Sequence, residues 1–277
     1  MTKPEYNHND RAGNQGDVFK HVALTAATLA LIEESDRDCF RYADLFAGFA
    51  WNPLSKSKEW SRGVGNLPQD CSQIANPDVL KWIESYSLIG IDESNNYPGS
   101  SRIVADLCRL KKQSFHMTLW DYSREPFLSL EAEYGGADHD IHMESAMPNE
   151  VAVQNADFIL IDPPNTTVWN SIIKPTFEQR TTKQAVLAWL PIMASPQKDV
   201  STAKEDKASI ACLDEALKLG LDATKIRWYR GGRTIGCLLI YSLSDSAKRR
   251  LRSSVDAIWK ALPWWNNELP EIACNHF

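Results

Sequence analysis

Apolar positions along this chain follow two rhythms. Short runs of consecutive or alternating apolar residues at 40–44, 116–120, 158–161 and 184–191, with a weaker one at 140–145, stop at acids, glycine or proline. Runs of that length predict strands. Between them, residues 126–134 and 209–219 carry apolar positions at helical spacing, so strand and helix alternate and a mainly parallel sheet is predicted. Near the end, 226–230, the pair Gly231-Gly232 and 234–242 predict an antiparallel hairpin, since paired glycines supply the positive φ of a tight turn.

From about 51 to 113 the alternation lapses. Asn76-Pro77-Asp78 reads as the cap of a helix whose apolar stripe is Val79, Trp82, Ile83 and Tyr86. The segment is predicted as a helical insertion subdomain between the first two strands. No repeat or low-complexity linker divides the chain, so residues 1–277 are read as a single domain. Five parallel strands closed by a terminal hairpin are the topology of an α/β, Rossmann-like class I methyltransferase fold.

Composition narrows the classes. With 277 residues and 43% hydrophobic content the chain can bury one good-sized core. Six cysteines are scattered without a Cys-x-x-Cys pair, and only Cys274 and His276 stand at zinc-ligand spacing. Reduced thiols, no metal and a cytoplasmic location are the expectation. The amino terminus is polar and no window reaches the roughly 18 apolar residues of a membrane span, so no membrane partner is expected. A net charge of −6 argues against indiscriminate coating of nucleic acid. Basic clusters do occur: Arg109 with Lys111 and Lys112, Lys225 through Arg233, and Lys248 with Arg249, Arg250 and Arg252. They read as solvated faces unless the fold gathers them on one side.

The candidate chemistry sits at strand ends. Phe158-Ile-Leu-Ile161 runs into Asp162-Pro163-Pro164-Asn165, and two prolines cannot continue a ladder, so the Asp162 carboxylate is left at the carboxyl end of a buried strand. Open α/β sheets bind ligands there. An adenine N6 is a poor nucleophile until acceptors grip its N–H bonds, and a carboxylate beside a proline-fixed carbonyl offers that grip. Amino-methyltransferases usually add an aromatic that stacks on the extruded base, where this chain has Asn165. The alternative is that Asp162 merely ends a strand of some other α/β protein.

Other segments also admit two readings. Asp44-Leu-Phe46-Ala47-Gly48-Phe49-Ala50 occupies the place of a glycine-rich cofactor turn or is strand–turn packing. Asp121 ends the second strand, where an acid grips ribose hydroxyls or caps the next helix. Tyr97-Pro98-Gly99-Ser100-Ser101 is a turn and helix start whose free N–H groups suit a carboxylate, although a structural account needs no ligand. Residues 12–21 read as a loop entering a helix, with Lys20 and His21 in its early turns.

Taken in order, these segments resemble the bacterial 23S ribosomal RNA adenine-N6 methyltransferase family, also labelled as involved in catabolism of external DNA. The resemblance rests on Ala12-Gly13-Asn14 with Asp17-Val18 and Lys20-His21, Asp44 with Ala47-Gly48, Tyr97-Pro98-Gly99-Ser100, Ile161-Asp162-Pro163-Pro164, Trp189 with Pro191, and Gly236. It implies a Rossmann-like fold, S-adenosylmethionine as cofactor without metal, and ribosomal RNA as partner of a monomer. It further implies that Asp162 is the catalytic acceptor, and that Lys20, His21, Phe46, Gly48, Ser100, Asp121 and Ala146 stand at cofactor positions. Tyr6, Pro163, Pro164 and Asn165 then face the substrate; apart from the resemblance, Trp169 stands four residues beyond Asn165, where a helix starting there would let it supply the missing aromatic face.

The chain departs from the family's pattern at Phe46, where a histidine is usual, at Ala50 for glycine and at Asp121 for glutamate. An Asp-Gly pair is missing around Ala146 and Met147, and Asn165 replaces a tyrosine. These changes fall on both sites. The leading expectation is N6-methylation of an adenine in 23S ribosomal RNA, and the alternatives are a degenerate, non-catalytic relative that binds RNA or a protein, or transfer to a different amine.

Overall fold

In the computed structural model, which describes residues 10–136, 138–192, 207–230, 233–262 and 275–276, one eight-stranded sheet organises the chain. Its spatial order is β10 (Asn275–His276), β8 (Asp222–Arg230), β9 (Arg233–Ser242), β7 (Ala185–Ile192), β6 (Phe158–Ile161), β1 (Cys39–Asp44), β4 (Ser114–Trp120) and β5 (Asp140–His142). Strands β5, β4, β1, β6 and β7 run parallel. Strand β9 is antiparallel to β7 and β8, and β10 is antiparallel to β8. This is the class I methyltransferase arrangement. The chain leaves β1 toward β4 on one side and β6 on the other, so a ligand crevice is expected above their carboxyl ends.

The central strands read as apolar runs because they are covered on both faces. Tyr42, Leu119, Phe158, Leu160 and Leu187 join one apolar cluster, while Ala43, Ile159, Ile161, Val186 and Ala188 join a second on the opposite face. The first cluster packs under α1 (Gln15–Glu34), α2 (Pro77–Ser85), α3 (Ser100–Leu110) and α8 (Asp245–Ala261). Helix α1 lies against the other three and is buried on nearly every side, which explains why it shows almost no amphipathic pattern. On the sheet's other side run α5 (Val151–Asn155), α6 (Lys174–Gln179) and α7 (Lys207–Lys218), and α4 (Arg124–Tyr134) follows β4.

Within 51–113, short 3-10 turns and α2 accompany a ribbon of β2 (Trp51–Pro53) and β3 (Asn96–Pro98). Asn76 caps α2 through the amides of Asp78 and Val79. Val79, Trp82 and Ile83 are buried in the cluster that holds α1 and β1, with Tyr86 packed against them. Helix α3 ends the segment by returning to pack on β1 and β4.

Three elements differ from the sequence reading. The weak strand at 140–145 is only three residues long, since the chain turns into solvent after His142. Strand β8 begins four residues earlier than read, at Asp222. Helix α8 was hidden by its charges: Leu251, Val255 and Ile258 form a narrow buried stripe in a strongly polar segment. The Gly231-Gly232 pair, Tyr6 and Cys274 lie outside the described residues.

Candidate active site

Where β6 stops, the chain delivers Asp162 to the side of α1. Lys20 Nζ lies 2.6 Å from Asp162 Oδ2 and 2.9 Å from Asp17 Oδ1. One turn earlier, Asn14 caps α1 by accepting from the Asp17 amide at 3.1 Å, and Asp17 accepts from the Gly13 amide at 2.9 Å. Burial opposes the charge on Lys20, but the carboxylates of Asp162 and Asp17 outweigh it and hold the ammonium above its ordinary value. A contact spanning 142 residues leaves no local signal, so the pairing of Lys20 with Asp162 could not be read from the sequence.

The end of β1 forms a second polar centre. Asp44 is fully buried, and its Oδ2 accepts from Ser100 Oγ at 2.6 Å and Tyr42 Oη at 2.9 Å. Its Oδ1 accepts from the Phe46 amide at 3.2 Å. Burial pushes this carboxyl up to about 6; the Ser100, Tyr42 and Phe46 hydrogen bonds oppose the rise and the nearby Asp162 charge adds to it. His21 is also internal, with its Nδ1 2.8 Å from Tyr97 Oη and its ring stacked on Tyr97 at 5.2 Å between centroids.

The turn after β1 leans on β4. Gly48 adopts φ +62°, and its amide donates to Asp121 Oδ2 at 3.1 Å, while Ser123 N donates to Asp121 Oδ1 at 2.7 Å. Asp121 thus braces two turns. A Cβ built at Gly48 meets nothing within 4 Å, so backbone is open to approach there, whereas one at Gly99 would sit 1.9 Å from the Phe49 carbonyl oxygen. Only glycine permits that junction of ribbon and α3.

These groups surround one cavity of about 240 Å³. Lys20, His21, Phe46, Gly48, Ser100 and Asp121 line it, as do Asp162, Pro163 and Pro164. Asp17, which belongs to the amino-terminal motif without an expected site role, and Asn52, which the sequence does not mark, line it too. Asp17 was legible as a first-turn acid three residues before a lysine, whereas nothing around Asn52 marked it.

Three expected positions lie elsewhere. Ala146 is buried in the second apolar cluster rather than on the cavity wall. Asn165 is exposed, its carboxamide accepting from the Thr167 amide at 2.9 Å to cap a 3-10 turn. Trp169 does not supply the missing aromatic face. It opens a π-helical turn, Trp169–Ile173, is 5% exposed among Ile172, Ile173 and Phe177, and donates from Nε1 to Glu215 Oε2 at 3.0 Å. The tight turn followed by a wide one rotates that side chain into the core. Trp189 and Phe46 line the cavity instead.

Two of the three basic clusters are partly neutralised. Lys111 and Arg250 pair with Glu33, Arg250 also grips Asp78, Lys248 and Arg252 share Asp222, and Arg109 meets Asp106. They brace helices and strands. Among the described residues no group of three or more His, Cys, Asp or Glu is disposed to hold a metal ion, and no helix is long and apolar enough to cross a membrane.

No family model matches the chain. It is 25% identical over 284 residues to ribosomal RNA large subunit methyltransferase J of Escherichia coli strain K12, covering 96% of this chain and 91% of that protein. Among solved structures, protein LPL1258 (DUF519) from Legionella pneumophila str. Philadelphia 1 superposes with a TM-score of 0.70 at 16% identity, covering 91% of this chain and 94% of its own. The structural likeness establishes a shared fold over nearly the whole length.

Proposed function

We propose that this chain is a divergent relative of ribosomal RNA large subunit methyltransferase J, to which it is similar over nearly its whole length, and that it transfers a methyl group from S-adenosylmethionine to the N6 amine of an adenine in 23S ribosomal RNA. The observation that carries the proposal is the Asp162 carboxylate at the end of β6, facing the cavity beside Pro163 and Pro164 with one oxygen tied to Lys20.

The cavity's chemistry fits the cofactor. Asp121 offers a carboxylate to paired hydroxyls, Gly48 lets a nucleoside approach backbone, and the first turn of α3 at Ser100 presents free amides to a carboxylate. Two carboxylates and one ammonium at Asp17, Asp162 and Lys20 sum to −1, a balance that favours a cationic ligand. When bound, S-adenosylmethionine supplies an electrophilic methyl group.

The chain's own residues then act by position. Lys20 fixes Asp162 Oδ2, which leaves Oδ1 to accept one N–H of the amine, and the Pro163 carbonyl accepts the other. These acceptors raise electron density on nitrogen and aim its lone pair, and the amine proton leaves to solvent after the new bond forms. The RNA is proposed to approach over the turns at 54–66. Lys58 N donates to the Asp10 carbonyl at 3.0 Å and Val64 N to the Gly13 carbonyl at 2.8 Å, which pins those turns to the loop bordering the cavity. Lys56, Lys58 and Arg62 are exposed on them.

Methylation of undermodified 23S ribosomal RNA by the purified protein is the test. Asp162→Ala is expected to lower kcat by roughly 10²–10³ in a protein that still unfolds cooperatively, since Asp17 continues to pair with Lys20. Full activity in that variant rejects the assignment, and a methylated product other than N6-methyladenine rejects the substrate.

A further inference from the structure

Asn52 lies on β2 opposite Tyr97 and is 1% exposed. Its Nδ2 reaches the Tyr97 carbonyl at 3.5 Å, which fixes the amide's orientation, since the reverse would set two acceptors against each other. Its Oδ1 is buried and receives no hydrogen bond among the described residues. Buried acceptors normally have a donor. The other buried side-chain polar atoms without a hydrogen-bond partner among the described residues belong to Thr25, Thr28, Trp82, Ser101, Trp120 and Tyr134, none of which lines the cavity. Asn52 does.

Its neighbourhood states what kind of donor fits. On the same wall, Gly99 and Ser100 open α3, an eleven-residue helix whose first-turn amides lack intrahelical acceptors and carry the positive end of the dipole. Behind Ser100 stands the buried Asp44 carboxylate, 2.6 Å from Ser100 Oγ. A helix start with open first-turn amides, an unpartnered carbonyl oxygen and a buried negative charge line or back the same cavity. That combination matches a zwitterionic amino acid. We infer that Asn52 Oδ1 accepts from the α-ammonium of the cofactor's amino-acid end, while the first turn of α3 takes its carboxylate.

The inference rests on the methyltransferase reading and deepens it: Asn52 selects for ligands with an intact amino-acid tail. Calorimetric titration of the purified protein tests it without any turnover. The probes are S-adenosylhomocysteine, its deaminated analogue and 5′-methylthioadenosine, which lacks the tail. Asn52→Leu, close to isosteric, is expected to weaken S-adenosylhomocysteine about 10- to 100-fold, as loss of a charge-assisted hydrogen bond implies. Binding of methylthioadenosine and of the deaminated analogue stays the same in wild type and variant, which also reports an intact site. Asn52→Ala removes the same oxygen without asking for space and is expected to show the same selective loss. Equal losses for all three ligands, or none for S-adenosylhomocysteine, overturn the inference while leaving the methyltransferase reading in place. A wild-type protein that binds none of the three overturns both.

Discussion

Asp44 shows how one buried carboxyl couples the site to pH. Its folded-state value of about 6 lies above the ordinary 3.8, so the folded protein takes up this proton before the unfolded chain does. Ionised Asp44 therefore costs stability above about pH 6, and the cost is relieved as the pH falls toward 4. Relative to Asp44→Asn, which cancels the contribution of other titrating groups, the wild type is expected to gain about 2 kcal/mol between pH 7 and pH 4.5. Urea unfolding of both proteins at the two pH values measures this, and a difference independent of pH would show that burial does not govern the carboxyl. Lys20 presents the opposite balance. It too is buried, but two carboxylates lie within 2.9 Å, so its charge is retained. The contrast follows from what each group faces: hydroxyls and an amide for Asp44, full charges for Lys20.

Among the elements, α1 places the site and α8 holds α1. Helix α8 docks on α1 and also reaches α2, where Arg250 donates to both oxygens of Asp78 at 2.6 and 2.7 Å and to Glu33 at 2.7 Å. The Asp78 side chain is 4% exposed. Removing its partner leaves an uncompensated buried charge, so Arg250→Ala is expected to cost about 3 kcal/mol. Adding Asp78→Asn to that variant is expected to recover a good part of the loss. Denaturant unfolding of the two single variants and the double variant forms a cycle that reports the coupling, and strict additivity would remove the pair from the account of how α1 is held. Because α1 carries Asp17, Lys20 and His21, the same brace fixes one wall of the cavity.

For the molecule as a whole, a net charge of −6 leaves little general attraction for RNA, and the clustered cations Arg109, Lys111, Lys248, Arg250 and Arg252 are spent on internal pairs. Lys56, Lys58 and Arg62 differ in standing exposed on the turns tied to the cavity loop. Replacing all three with alanine is expected to lower the slope of log affinity for ribosomal RNA against log salt by about 2 to 3, with cofactor binding unchanged. Filter binding at several salt concentrations measures it, and an unaltered slope would place the RNA elsewhere. Much of the architecture was legible before folding. Buried parallel strands must be continuous apolar runs, so β1, β4, β6 and β7 announced themselves, as did the acids that end the first three, the turn glycine Gly48 and the start of α1. Helix α8 and most of the polar network were not legible, because a charged helix with a narrow buried stripe resembles a solvated one. The role of Trp169 was misread for a related reason: spacing along the chain does not reveal that a 3-10 turn running into a π-helical turn swings the ring into the core. Local patterning thus sets where strands end and which side chains they deliver, since those depend on neighbours in the chain. Which of those side chains meet, as Lys20 meets Asp162 and Asn52 meets the Tyr97 carbonyl, is decided only when packing brings distant segments together, because charge pairing and burial act through space.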